Sequence, residues 1–180
     1  MSITTQSPVT RELAHANCDC QEDIVVRRPR EEDVPGLAAL FSEMQTHYER
    51  PVSYEAAVSA AALACRPPVN TFDPRVLIAL VGDAVVGSIV MNVTFPAFEL
   101  SLSLHIRDLY VGRSVRRSGV GRLLVKSAAR LAVNEGFSAL EWTTDSENWA
   151  ARKMYEICGA KQLDRTYYRL FDDTLTAAAI

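Results

Sequence analysis

The chain of 180 residues has no excess of positive charge and no long apolar run, and each absence excludes a class of protein. Its net charge of −3 argues against a nucleic-acid partner, because phosphate backbones require a basic protein face. No apolar run approaches the roughly 18 residues of a membrane-spanning helix. The first residues have neither the basic nor the apolar segment of a secretion signal. We therefore expect no nucleic acid, no membrane and a cytoplasmic location.

Cysteine is also scarce, and the four cysteines show no disulfide-framework spacing. His15, Cys18 and Cys20 imitate part of a metal cluster, but no second pair of ligands follows downstream. We interpret these residues as part of a polar leader with two incidental thiols, and we predict no metal site.

Apolar residues make up 48% of the chain, which is enough for the core of a single domain. We predict a flexible leader over residues 1–22, one domain over 23–170 and a tail over 171–180. The hydrophobic pattern predicts strands near 23–28, 75–81, 84–93, 100–111, 138–144 and 161–170, with helices near 34–48, 54–65, 120–135 and 147–158. This order, β-α-α-β-β-β-α-β-α-β, is typical of one mixed α/β or α+β sheet layered with helices.

The most informative stretch lies between an extended segment that ends at Val111 and an amphipathic helix that begins near Val120. Gly119 and Gly121 mark a turn there, and basic residues crowd around it: Arg113, Arg116, Arg117, Arg122 and Lys126. A glycine turn at a helix start presents closely spaced N–H groups to an anion. A local basic cluster on an acidic chain therefore indicates a small anionic ligand such as a pyrophosphate.

Two familiar phosphate loops fit this turn poorly. A P-loop needs Lys and then Ser or Thr directly after its last glycine, and neither follows Gly121. A dinucleotide-binding fingerprint needs a third glycine where Leu124 stands, and it opens a fold rather than following several strands. The remaining pattern is Arg-x-x-Gly-x-Gly, at Arg116, Gly119 and Gly121.

This pattern resembles the GNAT superfamily, the N-acetyltransferases that bind acetyl-CoA. Residues 106–111 are similar to the family's fourth strand, and residues 148–160 to its second signature, in which Asn148 is followed by Tyr155 and then Gly-Ala. The resemblance covers residues 23–170, and strand and turn look most similar to the diamine (spermidine/spermine-type) acetyltransferase branch. It implies a GNAT-type acyl-CoA N-acyltransferase fold: a mostly antiparallel sheet, splayed fourth and fifth strands, and helices on both faces.

The resemblance also implies a binding site for acetyl-CoA, the acyl donor. Its pantetheine pairs with the strand edge at Leu109, Tyr110 and Val111, where an N–H near Leu109 polarises the acetyl carbonyl. Asn148 hydrogen-bonds the pantetheine, caps a helix, or does both. The pyrophosphate is bound by backbone N–H groups and basic side chains of the turn: Arg116, Arg117, Ser118, Gly119, Val120, Gly121 and Arg122.

Tyr155 is placed by the resemblance as the general acid that protonates the departing thiolate. A phenol pKa of about 10 is close enough to that of a thiol, about 8.5, for proton transfer. The alternative is an aromatic side chain that packs on the sheet.

The general base is less defined. The diamine branch carries Glu-Asp before the apolar pair of its fourth strand, whereas this chain carries Arg107 and Asp108. Asp108 is the carboxylate that remains, although it can instead pair with Arg107 or cap a bulge. The other candidates are His105, Glu99, Glu141 and a chain of water molecules.

These residues predict an acetyl-CoA-dependent N-acetyltransferase that acts on a primary amine of a small molecule, of amino acid or diamine type, by direct attack in a ternary complex. Arg107 weakens the case for a polycationic acceptor, and it favours an acceptor with a carboxylate if it faces the acceptor site. The alternatives are a protein lysine or N-terminal acetyltransferase and a non-catalytic acyl-CoA-binding module. A homodimer is a candidate assembly.

Overall fold

The computed structural model describes residues 23–180 and contains one five-stranded sheet. Its strands are β1 (Ile24–Arg27), β2 (Arg75–Val81), β3 (Ala84–Thr94), β4 (Ser103–Val111) and β5 (Leu140–Trp142), in the spatial order β1-β2-β3-β4-β5. The helices are α1 (Val34–His47), α2 (Tyr54–Ala64), α3 (Val120–Asn134), α4 (Trp149–Ile157) and α5 (Asp172–Ala177). The predicted leader, with His15, Cys18 and Cys20, lies outside the described residues.

Local sequence signals account for several element boundaries. Ser53 accepts a hydrogen bond from the Ala56 backbone N–H at 3.2 Å and caps α2. Gly82 adopts a positive φ of 56° in the tight turn that joins β2 to β3. Both features agree with the predicted helix cap and hairpin.

Two apolar cores lie on opposite faces of the sheet, because successive side chains of a strand point to opposite sides. In β2, Leu77 and Ala79 belong to the core that α3 covers, whereas Ile78 and Leu80 belong to the core that α1 and α2 cover. The fold is therefore the predicted mixed α/β sheet with helices on both faces.

The fourth and fifth strands diverge, as the resemblance implied. Neighbouring strands are antiparallel except β4 and β5, whose parallel pairing is limited to residues 104–106 of β4 and Leu140–Trp142 of β5. Beyond Ile106 this edge of β4 has no strand partner in the described part of the chain. The divergence leaves a gap beside residues 107–111.

The predicted last strand over residues 161–170 is wrong. This segment is irregular, and its residues are exposed, including Tyr167 and Tyr168 at 70% and 87%. Strand propensity reflects packing on a neighbouring strand, and the three-residue β5 offers too short an edge to pair with. The strand predicted over residues 138–144 is also shorter than expected, since β5 contains only Leu140–Trp142.

Candidate active site

A β-bulge in β4 organises the site. Val90 pairs with Asp108 and Met91 with Ile106, so Arg107 is the extra residue of β4. The bulge reverses the side-chain alternation: Ile106 belongs to the core under α3, and after the bulge Leu109 packs against that same core. Arg107 itself is exposed.

The bulge also turns backbone polar groups toward the gap. Before it, the Leu104 N–H donates to the Ala139 carbonyl on the β5 side at 2.9 Å. After it, the Gly112 N–H donates to the Val86 carbonyl on the β3 side at 2.8 Å. Because these directions alternate, the N–H and carbonyl of Leu109 and Val111 face the open edge.

Tyr110, the third residue predicted at this edge, is directed elsewhere. Its backbone pairs with Ser88 of β3, and its ring is buried in the core under α1 and α2. Its hydroxyl donates to Glu43 Oε1 at 2.9 Å, and the Arg113 N–H donates to the same oxygen at 2.8 Å. Glu43, which sequence reasoning missed, thus fixes the strand and the following turn to α1.

The glycine turn presents a row of unpaired donors. The first backbone hydrogen bond of α3 runs from the Leu123 N–H to the Gly119 carbonyl at 3.0 Å. In the part of the chain that the structure describes, the N–H groups of residues 117–122 have no protein acceptor. Arg117 and Gly119 adopt positive φ values of 70° and 91°, which for Arg117 is a strained conformation. These donors stand at the positive end of the α3 dipole.

The basic side chains of the turn have different surroundings. The Arg116 Nε donates to the Val111 carbonyl at 3.1 Å, and its guanidinium lies 5.4 Å from the centre of the Tyr110 ring. Arg117 and Arg122 are exposed and make no ion pair within residues 23–180. Arg116 is therefore bound to the strand, whereas the other two are available to an anion.

Ser118 and Gly121 bear on whether a pyrophosphate fits. The Ser118 hydroxyl donates to the Val115 carbonyl at 2.6 Å, so this residue can offer an anion only its backbone N–H. A Cβ on Gly121 would meet Val111 Cγ2 at 3.6 Å and Met154 Cε at 3.8 Å, which are ordinary contacts. No neighbouring protein atom therefore requires glycine at 121, and its bare backbone leaves space for a ligand. The turn fits the diphosphate of acetyl-CoA.

Tyr155 of α4 lies across the gap from β4. Its ring centre is 5.0 Å from that of Trp142, at the end of β5. Burial is the main cause that raises the Tyr155 pKa, and the nearby Tyr48 and Asp108 raise it further. The phenol is thus a protonated group within electrostatic reach of Asp108.

Asn148 is the N-cap of α4. Its side-chain oxygen accepts from the Ala151 N–H at 3.2 Å, which is the capping role anticipated as one alternative. The residue is exposed, and its binding of pantetheine stays a prediction.

Asp108 is half-buried, and burial raises the pKa of its carboxyl, against smaller opposite effects of the Leu109 N–H and of Arg107. A raised pKa makes this carboxylate a stronger proton acceptor than an exposed aspartate.

The three other candidate bases lie in surroundings that differ from those of Asp108. Glu99 is exposed in a short loop before β4, with a positive φ of 56°. Glu141 accepts from the Ser103 hydroxyl at 3.3 Å, and His105 pairs with it across β4 and β5. None of the three lines the cavity that contains Asp108.

That cavity has a volume of about 460 Å³ and opens beside the bulge. Besides Arg107 and Asp108 it is lined by residues that sequence reasoning missed: Gln45, Tyr48, Arg50, Asp145 and Arg169. They come from the end of α1, the loop after β5 and the C-terminal segment. No local spacing signals such a set, because only the tertiary fold brings it together.

Neither a metal group nor a membrane span is found within residues 23–180. No cluster of three or more His, Cys, Asp or Glu side chains there could hold a metal ion. No helix of that region has both the length and the apolar character needed to cross a bilayer.

Two sequence relatives are amine acetyltransferases, and the chain spans about a third and about half of their lengths. The L-ornithine N5-acetyltransferase of Arabidopsis thaliana is 31% identical over 43% of this chain and 34% of that protein. The thialysine N-epsilon-acetyltransferase of Caenorhabditis elegans is 35% identical over 44% and 49%. The D-amino-acid N-acetyltransferase of Saccharomyces cerevisiae is 26% identical over 81% of this chain and 89% of that protein.

Solved structures share the fold over most of the chain. An integron cassette protein from the mobile metagenome of V. cholerae superposes with a TM-score of 0.72 and 27% identity, covering 87% of this chain and 97% of that one. An aminoglycoside acetyltransferase from a soil metagenome, solved with sisomicin, has a TM-score of 0.65 and 20% identity over 82% and 97%.

A family model covers the whole region that contains the site. The model described as the acetyltransferase (GNAT) family matches residues 36–160, from the first turn of α1 to the end of the Asn148–Tyr155 signature. The chain therefore carries an N-acetyltransferase domain and belongs to the acetyltransferase (GNAT) family.

Proposed function

We propose that the protein transfers the acetyl group of acetyl-CoA to a primary amine of a small molecule by direct attack in a ternary complex. The observation that carries this proposal is the open β4 edge, which joins the two halves of the site. At one end of residues 107–111 lies the anion-binding turn before α3, and at the other lies the cavity that contains Asp108.

The donor end consists mainly of backbone groups. The N–H groups of residues 117–122 bind the diphosphate, with Arg117 and Arg122 adding charge. The open-edge Leu109 carbonyl and Val111 N–H pair with the amides of the pantetheine, whereas the Val111 carbonyl already accepts from Arg116 Nε. Bound acetyl-CoA supplies an acetyl group activated as a thioester.

The acceptor end holds the proton-transfer groups. Asp108 takes a proton from the acceptor ammonium, because only the neutral amine is a nucleophile. The Leu109 N–H, which also interacts with the Asp108 carboxylate, stabilises charge that develops on the carbonyl oxygen of the bound acetyl group. Tyr155, whose phenol is kept protonated by burial, donates a proton to the leaving sulfur and regains one from the nitrogen that becomes the amide. Asp108 then releases its proton to solvent.

Cellular location and assembly stay predictions. The expected location is the cytoplasm, and a homodimer is the candidate assembly.

A thiol-release assay with a panel of free amines and a peptide library tests the proposal. We expect thiol release that requires both acetyl-CoA and a free amine, with an N-acetylated amine as product. Acetylation of peptides without acetylation of free amines would identify a protein acetyltransferase instead. Binding of acetyl-CoA without turnover of any amine or peptide would identify a non-catalytic binding module.

A further inference from the structure

The cavity beside the bulge contains charges of both signs. Three arginines line it, Arg50, Arg107 and Arg169, together with two aspartates, Asp108 and Asp145. The lining thus carries one more positive than negative charge. This arrangement differs from an acidic pocket, which a purely cationic amine would require.

The three arginines come from separate parts of the fold. Arg50 follows α1 and donates its N–H to the Gln45 carbonyl at 2.9 Å. Arg107 is the bulge residue of β4, and Arg169 lies in the irregular C-terminal segment with its guanidinium 5.3 Å from the centre of the Phe171 ring. Their meeting at one cavity is therefore a property of the tertiary fold.

These arginines form no close salt bridge in the described part of the chain, although Arg107 interacts electrostatically with the neighbouring Asp108. Among residues 23–180, none of the three forms an ion pair with a carboxylate, including the aspartates of the same cavity. Arginine side chains bind carboxylates through paired N–H donors. The cavity thus offers strong, unused donors for an anionic group.

The two carboxylates lie near tyrosines of the site. Asp108 and Asp145 both raise the pKa of Tyr48, and Asp108 also raises that of Tyr155, so these groups lie within electrostatic reach of one another. An ammonium group of the acceptor is attracted to these carboxylates.

We infer that the acceptor is an amine that also carries a carboxylate, as an amino acid does, and that Arg50, Arg107 and Arg169 bind that carboxylate. The inference rests on the proposed function and names its substrate class. Asp108 and Asp145 face the ammonium group. A diamine fits less well, because its second ammonium group would meet guanidinium charges.

Equilibrium binding tests this inference independently of turnover. Calorimetric titration of the full chain saturated with CoA compares L-lysine with cadaverine and L-ornithine with putrescine, pairs that differ only by the carboxylate. We expect each amino acid to bind about tenfold or more tightly than its diamine. Equal or tighter binding of the diamines, or no binding of any amino acid, would overturn the inference.

Substitutions test whether the preference for amino acids over diamines arises in the cavity. Arg107→Gln should weaken amino acid binding about tenfold and leave diamine binding unchanged or stronger, and Arg107→Lys should restore part of the loss. Arg130→Gln, on the exposed face of α3, is the matched control and should change neither. Equal weakening of both ligand classes by Arg107→Gln, or no effect on amino acids, contradicts the assignment.

The thiol-release assay separates this inference from the proposed function. Selective amino acid binding without acetyl transfer would refute the proposed acetyltransferase activity and still support the proposed carboxylate-binding site. Acetyl transfer with a preference for diamines would refute the proposed carboxylate-binding site and still support the proposed acetyltransferase activity.

Discussion

Asp108 and Tyr155 differ from ordinary surface groups because burial raises the pKa of both. The raised pKa suits the two residues to opposite roles in proton transfer. A higher pKa makes the Asp108 carboxylate a better proton acceptor, whereas it keeps the Tyr155 phenol available as a proton donor across neutral pH. The two residues therefore suit the two proton transfers of an amine acetylation.

Replacing Tyr155 by Phe removes the proposed proton donor and keeps the ring that packs beside Trp142. We expect turnover to fall at least about tenfold, since general acid catalysis typically contributes about 100-fold or more, with little change in acetyl-CoA affinity. Steady-state rates and equilibrium binding measure the two quantities. Full turnover in the variant would leave Tyr155 with a packing role only.

The dependence of kcat/KM on pH tests Asp108 as the base. Activity requires its carboxylate form, so the rate falls as pH drops through its pKa. Because that pKa is raised, the acid limb should lie at higher pH than the ordinary value of about 3.9 for aspartate. Asp108→Asn should lower the rate at least about tenfold and remove this limb.

Glu99→Gln is the control for the base, because Glu99 is exposed and outside the cavity. It should leave the rate and the acid limb unchanged. Loss of the limb in this control, or its persistence in Asp108→Asn, would move the role of base away from Asp108.

Single residues were predictable only where a local motif marks them. Arg116, Gly119, Gly121, Asn148 and Tyr155 form such motifs. The residues Tyr48, Arg50, Asp145 and Arg169 belong to no motif, since each reaches the cavity from a different element.

Among the elements, β4 and the start of α3 act as one unit. The bulge at Arg107 directs the Leu109 and Val111 backbone to the gap, and the turn that follows ends in a row of free N–H groups. Glu43 of α1 holds both through Tyr110 and Arg113. The surface that we propose for the acetyl donor thus depends on backbone geometry more than on side-chain identity.

Gly121→Ala tests the role of the helix start. The new Cβ makes only ordinary contacts, so the fold should be unchanged or stabilised by up to about 1 kcal/mol, the helix preference of Ala over Gly. Acetyl-CoA affinity should fall about tenfold or more, because the methyl group occupies space beside the diphosphate donors. Chemical denaturation and equilibrium binding measure the two effects.

Gly121→Asp should abolish binding, since it adds repulsion to the steric effect. Gly119 is less informative on its own, because its φ of 91° makes any side chain there strained. Unaltered acetyl-CoA binding in both Gly121 variants would refute the assignment of the turn.

Periodicity predicted the long elements and failed at the short ones. The amphipathic pattern of α3 and the hairpin of β2 and β3 were readable from local sequence. The bulge left a signal too, since apolar residues stand at 104 and 106 and then at 109 and 111. The strand expected over residues 161–170 did not form, because pairing depends on a neighbouring edge that local sequence does not reveal.

At the scale of the whole molecule, a partly buried ion pair links the edge of the sheet to the first helix. Asp33, which precedes α1, is 6% exposed and accepts from Arg27 of β1 at 2.6 and 2.9 Å and from the Arg30 N–H at 2.6 Å. The hydrogen bond from Arg27 is the main cause that lowers the Asp33 pKa.

Asp33→Asn should lower the free energy of unfolding by about 2 kcal/mol at neutral pH. The pKa of Asp33 is lower in the folded state than in the unfolded state, where it is about 3.9, so the ionised carboxylate stabilises the fold at pH values above about 3.9. This stabilisation is lost as the pH falls through the folded-state pKa. The difference between wild type and variant should therefore shrink below about pH 4. Urea denaturation at several pH values measures it.

Glu32→Gln is the matched control, because the Arg30–Glu32 pair is 65% and 67% exposed. An exposed pair contributes little, so no measurable change is expected. A pH-independent loss in Asp33→Asn, or an equal loss in the control, would contradict this account of the pair.

A crystal structure of the protein with CoA tests the central claim most directly. The account predicts the pantetheine along the Leu109 and Val111 edge, the diphosphate on the N–H groups of residues 117–122, and the sulfur facing Tyr155 and the cavity of Asp108. CoA bound away from the β4 edge, or a diphosphate that does not contact the turn before α3, would contradict it.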